Sequence, residues 1–460
     1  MGSDELGSVT RRLRDRLKAS IDLPFHDFFT QERVGAIVEE LDICYRERIF
    51  SPVTTLLMFI SQVLVDRCCR AAVSRVVATV AASGSTPPSQ ETGAYCQARQ
   101  RLPEGFFRNM LAQTSQAADK DVSQEHLWRG RHRVLVADGS SAQTPDTAAN
   151  RKEWGLPSGV KPGCGFPVAP LVGLFSLVTG MLVQIVVGKE RSSERALFRQ
   201  GWDTLTTGDV VLGDRGLCCY ADMAMLKARG VDAVMRLFNR KPDFRKGMRI
   251  GREDHITVWE RPKVCPRGMT AEEFGSLPEH MEARELRIRP AARGWRTQEL
   301  VIVTTLLDAR VYTKERLAGL YLRRWEVELD FRHIKTTLGM EMLSTNSPDT
   351  VRKEIMTYMI AYNMIRLLMW QAGRSAGEDP LRLSFAGAIQ HLKSMSPHLG
   401  RARDRGDHAR LLGILSKMIA AEKLPNRPRR SEPRVRKRRP KNYRLMTRPR
   451  NVLKQEIMNA

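Results

Sequence analysis

The chain of 460 residues reads as an α/β protein with a helical N-terminal region and a β-rich insertion. Three observations predict this. Helix signals dominate the first ~125 residues. From His132 onward, short apolar and β-branched runs alternate with helical segments, the texture of a layered mixed sheet. A stretch rich in Arg, Gly and Pro, from Phe238 to about Thr297, interrupts that rhythm before it resumes. The division that follows is an N-terminal helical segment over 1–128 and a first core part over 129–237. An insertion covers 238–299, a second core part with C-terminal helices 300–420, and a basic tail 421–460.

Taken in order, Ser51-Pro52 offers an N-cap and a proline at the first helical position, and the apolar run over 53–65 follows. A bilayer needs ~20 such residues, so this run predicts a core helix. A loop of Ser, Thr and Pro over 84–90 leads to a basic helix carrying Tyr95, Arg99 and Arg101 before Pro103. No clear helix-turn-helix pattern accompanies it, so a plain helical bundle and a DNA-binding module both fit. The run 134–137 predicts a strand ending at Asp138-Gly139, and 169–178 and 181–187 predict two more, joined at Thr179-Gly180. Ser192-Ser193 can cap a helix over 194–205. A strand over 209–213 ends in Asp214-Arg215-Gly216, a helix over 220–228 stops at Gly230, and 232–237 is a strand again. Within the insertion, 256–259 and 285–288 are strand candidates, and 300–306 is a clear strand beyond it. Helices are expected over 321–335 and 351–370; in the second, Ile355, Met359, Tyr362, Ile365 and Leu368 or Met369 have core spacing.

The 75 Lys+Arg exceed the 51 Asp+Glu by +24, which favours a polyanionic partner, most simply nucleic acid. Residues 427–450 alone carry twelve Lys/Arg against one Glu, with four Pro. Such a run cannot bury a core; we read it as a flexible phosphate-binding arm. The eight cysteines include no C-x-x-C pair, and the adjacent pairs Cys68-Cys69 and Cys218-Cys219 suit no ordinary tight disulfide. All are read as reduced, which points to the cytoplasm and away from a zinc module. No signal-peptide pattern opens the sequence, and no membrane partner is expected.

The most informative run lies over 321–335. On a helix turning about 100° per residue, Tyr321, Arg324 and Lys335 fall within a stripe about 60° wide around Glu328. Leu322, Trp325, Leu329 and Ile334 point elsewhere, and His333 is off the stripe, a surface or packing residue. Asp138 and Asp214 each follow a predicted strand and precede a glycine-containing turn, on the rim where α/β folds collect function. Either alone is more often a turn or cap residue. With Glu328 they make a set of three acids suited to a hard, oxygen-seeking cation such as Mg²⁺, with Mn²⁺ able to substitute. Two such ions can drive in-line displacement at a phosphodiester. Arg324 and Lys335 are then placed to hold phosphates, and Tyr321 to offer a flat face to an unstacked base. Arg215 can touch DNA or cap its turn.

Tyr-x2-Arg-x3-Glu-x6-Lys resembles the YREK signature of the bacterial insertion sequence four family of DDE transposases. Tyr321, Arg324, Glu328 and Lys335 match every position. Asp138 in Val-Ala-Asp-Gly-Ser-Ser looks like the family's first acid and Asp214 in Leu-Gly-Asp-Arg-Gly its second. The likeness spans roughly 130–370; Arg-Arg-Pro-Lys-Asn-Tyr at 438–443 resembles the tails of some members, and the N-terminal ~125 residues match no defined module. The resemblance implies a ribonuclease H-like mixed sheet flanked by helices. It implies an enzyme that binds terminal inverted repeats in double-stranded DNA, cuts at the transposon ends and joins the 3′-OH to target DNA. Some members pass through a DNA hairpin, with a tyrosine of the signature and a tryptophan of the insertion holding a flipped base. Tyr321 matches the first; Trp259, in Asp254-x4-Trp259-x2-Pro262, is preferred over Trp295 for the second. Two ends must meet, so at least a homodimer on DNA is expected. The competing readings are a nuclease of the same core that does not join strands, and a catalytically idle DNA-binding regulator of the element.

Overall fold

The computed structural model describes residues 25–459 apart from 26, 27, 47, 83, 85, 239, 267, 290–298 and 426–443. The chain forms two compact units, one from 1–121 with 332–424, the other from 122–331 with 425–460. Among the described residues no helix is long and apolar enough to cross a membrane. Trp295 and most of the basic tail lie outside the described residues.

Among its described residues the second unit is built on one mixed sheet of nine strands: β1 (Val134–Gln143), β2 (Val168–Ser176), β3 (Leu182–Val187), β4 (Val210–Gly213), β5 (Asp232–Arg236), β6 (Met248–Gly251), β7 (Asp254–Glu260), β8 (His280–Ile288) and β9 (Leu300–Thr304). Their order is β3-β2-β1-β4-β5-β9-β8-β7-β6. The first three pair antiparallel, β1-β4 and β4-β5 pair parallel, and β9 returns antiparallel to β5. This is the ribonuclease H-like arrangement. The insertion extends the same sheet, because β8 pairs with β9 and carries β7 and β6 with it. A buried bidentate pair fixes that extension: Arg284 donates to Asp254 through Nε at 2.8 Å and Nη2 at 2.6 Å, and to the Tyr312 carbonyl through Nη1 at 2.6 Å.

One face of the sheet packs under the helices Glu194–Gln200 and Tyr220–Ala228, with Val172, Phe198, Trp202, Val211, Met223 and Met235 in the core between them. The expected strand over 134–137 is longer than its apolar residues suggest. Beyond Ala137 it has no hydrophobic pattern, yet it pairs with β2 as far as Gln143. The backbone ladder, not side-chain burial, carries it on. The helix expected over 194–205 stops at Gln200, and a separate 3₁₀ turn, Trp202–Thr204, follows Gly201.

The first unit is helical. Its longest element, Pro348–Ala376, is capped by Ser347 and packs against Glu104–Gln116, Pro52–Ser61 and Arg405–Ala421. It buries Ile355, Met359, Tyr362, Ile365 and Met369. Asn363 in its middle donates to Thr114 Oγ1 at 3.2 Å, so this buried polar group is paired. The run 53–65 divides into the helix Pro52–Ser61 and a π-helical turn, Gln62–Asp66, closed by Arg67 at φ 64°. All eight cysteines are free thiols.

Candidate active site

The site begins with strand register. β1 and β4 pair in parallel as Val134↔Val210, Leu135↔Val211 and Val136↔Leu212. Continuing the same offset brings Asp138 level with Asp214. Asp138 therefore lies within β1 as seen from β2, where it faces Gly173, but beyond the last pair as seen from β4. The expectation that it ends its strand holds on one side only. Asp214 directly follows β4. Its Oδ1 accepts the Gly216 N–H at 2.6 Å and the Leu217 N–H at 3.3 Å, which fixes the carboxylate in the turn. Arg215, between them, is exposed.

Glu328 comes from the helical run, which is not one regular helix. It comprises Lys314–Leu322, a 3₁₀ turn Arg323–Trp325, the helix Glu326–Arg332 and a π-helical turn His333–Thr337. Each change of winding rotates the later side chains away from the uniform stripe. The pair one regular turn apart survives best: Arg324 Nη2 donates to Glu328 Oε1 at 3.3 Å. Arg324 Nη1 lies 3.8 Å from Asp138 Oδ1, so one buried guanidinium spans two of the three acids. Phe331 anchors this helix by packing edge-on to Phe175 of β2, with ring centroids 5.0 Å apart. Gly173 makes that approach possible: a Cβ there would stand 3.0 Å from the Phe331 ring and 2.8 Å from Phe175.

Tyr321 turns inward. It is 1% exposed, and its hydroxyl donates to the Gly213 carbonyl at 3.3 Å, the residue before Asp214. Burial pushes its phenol pKa up. Lys335 is half-buried in the π-helical turn, which belongs to the first unit. Trp325, off the stripe, is half-buried with the Arg324 guanidinium 4.8 Å from its ring centroid. His333 is a packing residue, stacked on Phe385 at 4.7 Å. Trp259 is 6% exposed, and its Nε1 donates to Glu285 Oε1 at 2.7 Å. Its ring lines a cavity of about 430 Å³ together with Arg195, Tyr220, Phe238, Arg240 and Pro262.

Glu194 is the residue that the sequence did not disclose. There it reads only as the start of a helix, and the one available signal was an acid just after a Ser-Ser cap. In the fold its carboxylate lies against Gly139, beside Asp138, and burial followed by the charge of Asp214 pushes its pKa up. Burial pushes the Asp138 carboxyl up to about 7; Arg324 opposes this, while Asp214, Glu194 and Glu328 add to it.

The donors are all carboxylate oxygens, which suit a hard divalent cation, and the charge crowded around Asp138 is what such an ion relieves. Asp138, Asp214 and Glu328 are the residues that would hold it. As they stand, no group of three or more His, Cys, Asp or Glu among the described residues is gathered closely enough to do so. Arg324 spans Asp138 and Glu328 instead.

The mixed sheet with an aspartate beyond β4 and another level with it on β1 is an arrangement that a DDE-type DNA cleavage and transfer enzyme would need. The family model described as "Transposase DDE domain" matches residues 129–364, and the chain belongs to that family of metal-dependent DNA cleavage and transfer enzymes. It is 26% identical over 363 residues to the transposase InsG for insertion sequence element IS4 of Escherichia coli (strain K12), covering 77% of this chain and 78% of that protein. Among solved structures it is similar to the piggyBac transposase in a synaptic complex with hairpin DNA. The TM-score is 0.43 at 11% identity, over 87% of this chain and 84% of that one.

Proposed function

We propose that this transposase cuts at the inverted-repeat ends of its element and joins the freed 3′-OH to target DNA, in a cut-and-paste reaction. The observation that carries this reading is the level placement of Asp138 and Asp214, with Glu328 tied to Asp138 through Arg324. Asp138, Asp214 and Glu328 would hold Mg²⁺, or Mn²⁺ in its place. When bound, two such ions supply charge neutralisation at both the attacking and the leaving oxygen. The protein's own part is positioning. Strand register sets the aspartates, the turn at Gly216 aims Asp214, and Phe331 seats the helix of Glu328. Arg324 and Arg215 offer cations to the phosphates flanking the scissile bond, and Lys335 is read as a further DNA-phosphate contact.

A base-holding role for Tyr321 and Trp259, with a hairpin at the transposon end, requires both rings to leave the packing they have here. The nearer role of Tyr321 is to steady Gly213-Asp214 through its hydroxyl. Residues 1–128 and the tail 421–460 are read as further DNA-binding regions, and a homodimer on DNA as the unit that pairs two ends. The cytoplasm, at the nucleoid, is the expected location.

Asp138→Ala, Asp214→Ala and Glu328→Ala, made separately and assayed for Mg²⁺-dependent cleavage of the cognate ends, each abolish cutting. Full cleavage by any one removes that residue from the site. A pre-cleaved end with a free 3′-OH separates the alternatives: joining to target DNA marks a transposase, and cutting without joining a nuclease. DNA binding with no metal-dependent cutting marks an idle regulator.

A further inference from the structure

The helix Glu194–Gln200 already has its cap, because the Ser193 hydroxyl accepts the Ala196 N–H at 3.2 Å. The Glu194 side chain is therefore not needed there, and it reaches the two turns that carry the aspartates. It lies against Gly139, one residue past Asp138. A Cβ at Gly139 would collide with that carboxylate. On its other side, a Cβ at Gly216 would stand 3.6 Å from Glu194 Oε2, and Gly216 is the donor that holds Asp214. Glycine at 139 leaves the space that the carboxylate fills, and at 216 the carboxylate lies at ordinary contact distance. Among the described residues no Lys or Arg forms an ion pair with Glu194. Filling the space beside Gly139 could be done by glutamine, which has the same shape. The uncompensated charge has no structural employment in the fold.

We propose that Glu194 is a positioning carboxylate of the catalytic site. It fixes the backbone next to Asp138, and it places a fourth negative charge between Asp138 and Asp214, which strengthens the hold of those two on a divalent cation. This rests on the assignment of the three acids above. Groups that orient the residues around a metal typically contribute about 10- to 100-fold to metal affinity.

The test titrates Mn²⁺ alone into full-length wild type, Glu194→Ala, Glu194→Gln and Asp138→Ala, reading free Mn²⁺ by electron paramagnetic resonance. Thermal midpoints and end cleavage are measured in parallel. Glu194→Ala is expected to weaken Mn²⁺ binding by about 10- to 100-fold at an unchanged midpoint. Glu194→Gln, which keeps the side-chain shape beside Gly139, is expected to recover part of that loss. Wild-type binding by both Glu194 variants, with Asp138→Ala impaired, overturns the proposal and leaves the three acids standing. Wild-type binding and cleavage by Asp138→Ala instead overturns the assignment of the acids, and this proposal with it. Should Glu194→Ala fail to fold, Glu194→Gln decides: weakened binding supports the charge, and wild-type binding removes it.

Discussion

Among the described residues Arg324 is the one cation that reaches two of the three acids, and its geometry cannot be reproduced by lysine. A planar guanidinium presents separate N–H groups to Asp138 and Glu328; a single ammonium cannot span both. Arg324→Lys is therefore expected to lower end cleavage, by roughly 100-fold if Glu328 is displaced by about 1 Å, with folding intact by circular dichroism. His333 makes a different prediction. Burial, with Arg366 and Arg332 adding to it, holds its imidazole pKa down at about 3. The unfolded chain protonates this ring near its ordinary value, so the stability gained by keeping it neutral is complete above about 6.5. That stability is lost as pH falls from there toward 3. Thermal midpoints between pH 4 and 7 should decline less steeply in His333→Gln than in wild type. An equal decline would remove His333 as the cause.

Among the elements, the packing of β2 against the helix Glu326–Arg332 is the most exposed to a single change. Gly173 lies opposite Asp138 on β2 and under Phe331. Gly173→Ala is expected to push that helix outward, costing about 1–3 kcal/mol of stability by denaturant unfolding. It should also lower cleavage, because it separates Glu328 from Asp138. In the first unit, Ile355→Ala, at a fully buried position of Pro348–Ala376, is expected to cost about 2–5 kcal/mol by the same measurement. The sequence made some of these elements plain and hid others, for physical reasons. The helix Tyr220–Ala228 was legible because apolar period and a glycine stop coincide. The second half of β1 was not, since Gly139, Ser140 and Ser141 carry no strand pattern and are held by the ladder. The YREK residues were legible as a spacing. Their three-dimensional roles were not, because Tyr321 is buried with its hydroxyl on Gly213, and the turns Arg323–Trp325 and His333–Thr337 depart from the uniform winding that the spacing assumes. Glu194 was invisible, since only the tertiary fold brings a helix start to two distant turns.

At the scale of the whole molecule, charge sets the expectation. The excess of +24 predicts DNA binding that weakens steeply with salt. Deleting residues 426–460 removes most of the basic tail. It should flatten the slope of log K against log salt by about 0.9 for each phosphate that the tail neutralises, measured by titration of end DNA. An unchanged slope would mean that the tail is a solvated extension. The expected insertion also looks different at this scale. Its composition marked it as a β-rich interruption of the core, and its strands continue the core sheet past β9, so it braces the catalytic layer.

The shared register of β1 and β4 has a consequence for how this enzyme can vary. Side chains along a strand alternate between the two faces of a sheet, so Asp138 and Asp214 meet only while the two strands keep the same parity. The long excursion between them, through β2, β3 and the helix Glu194–Gln200, can grow or shrink in its loops without disturbing that parity. A single residue inserted into or deleted from β4 cannot do so: it would send the second aspartate to the opposite side of the layer. Length changes in such a lineage should therefore accumulate in the connections and spare these few paired positions, a frame kept by backbone hydrogen bonds.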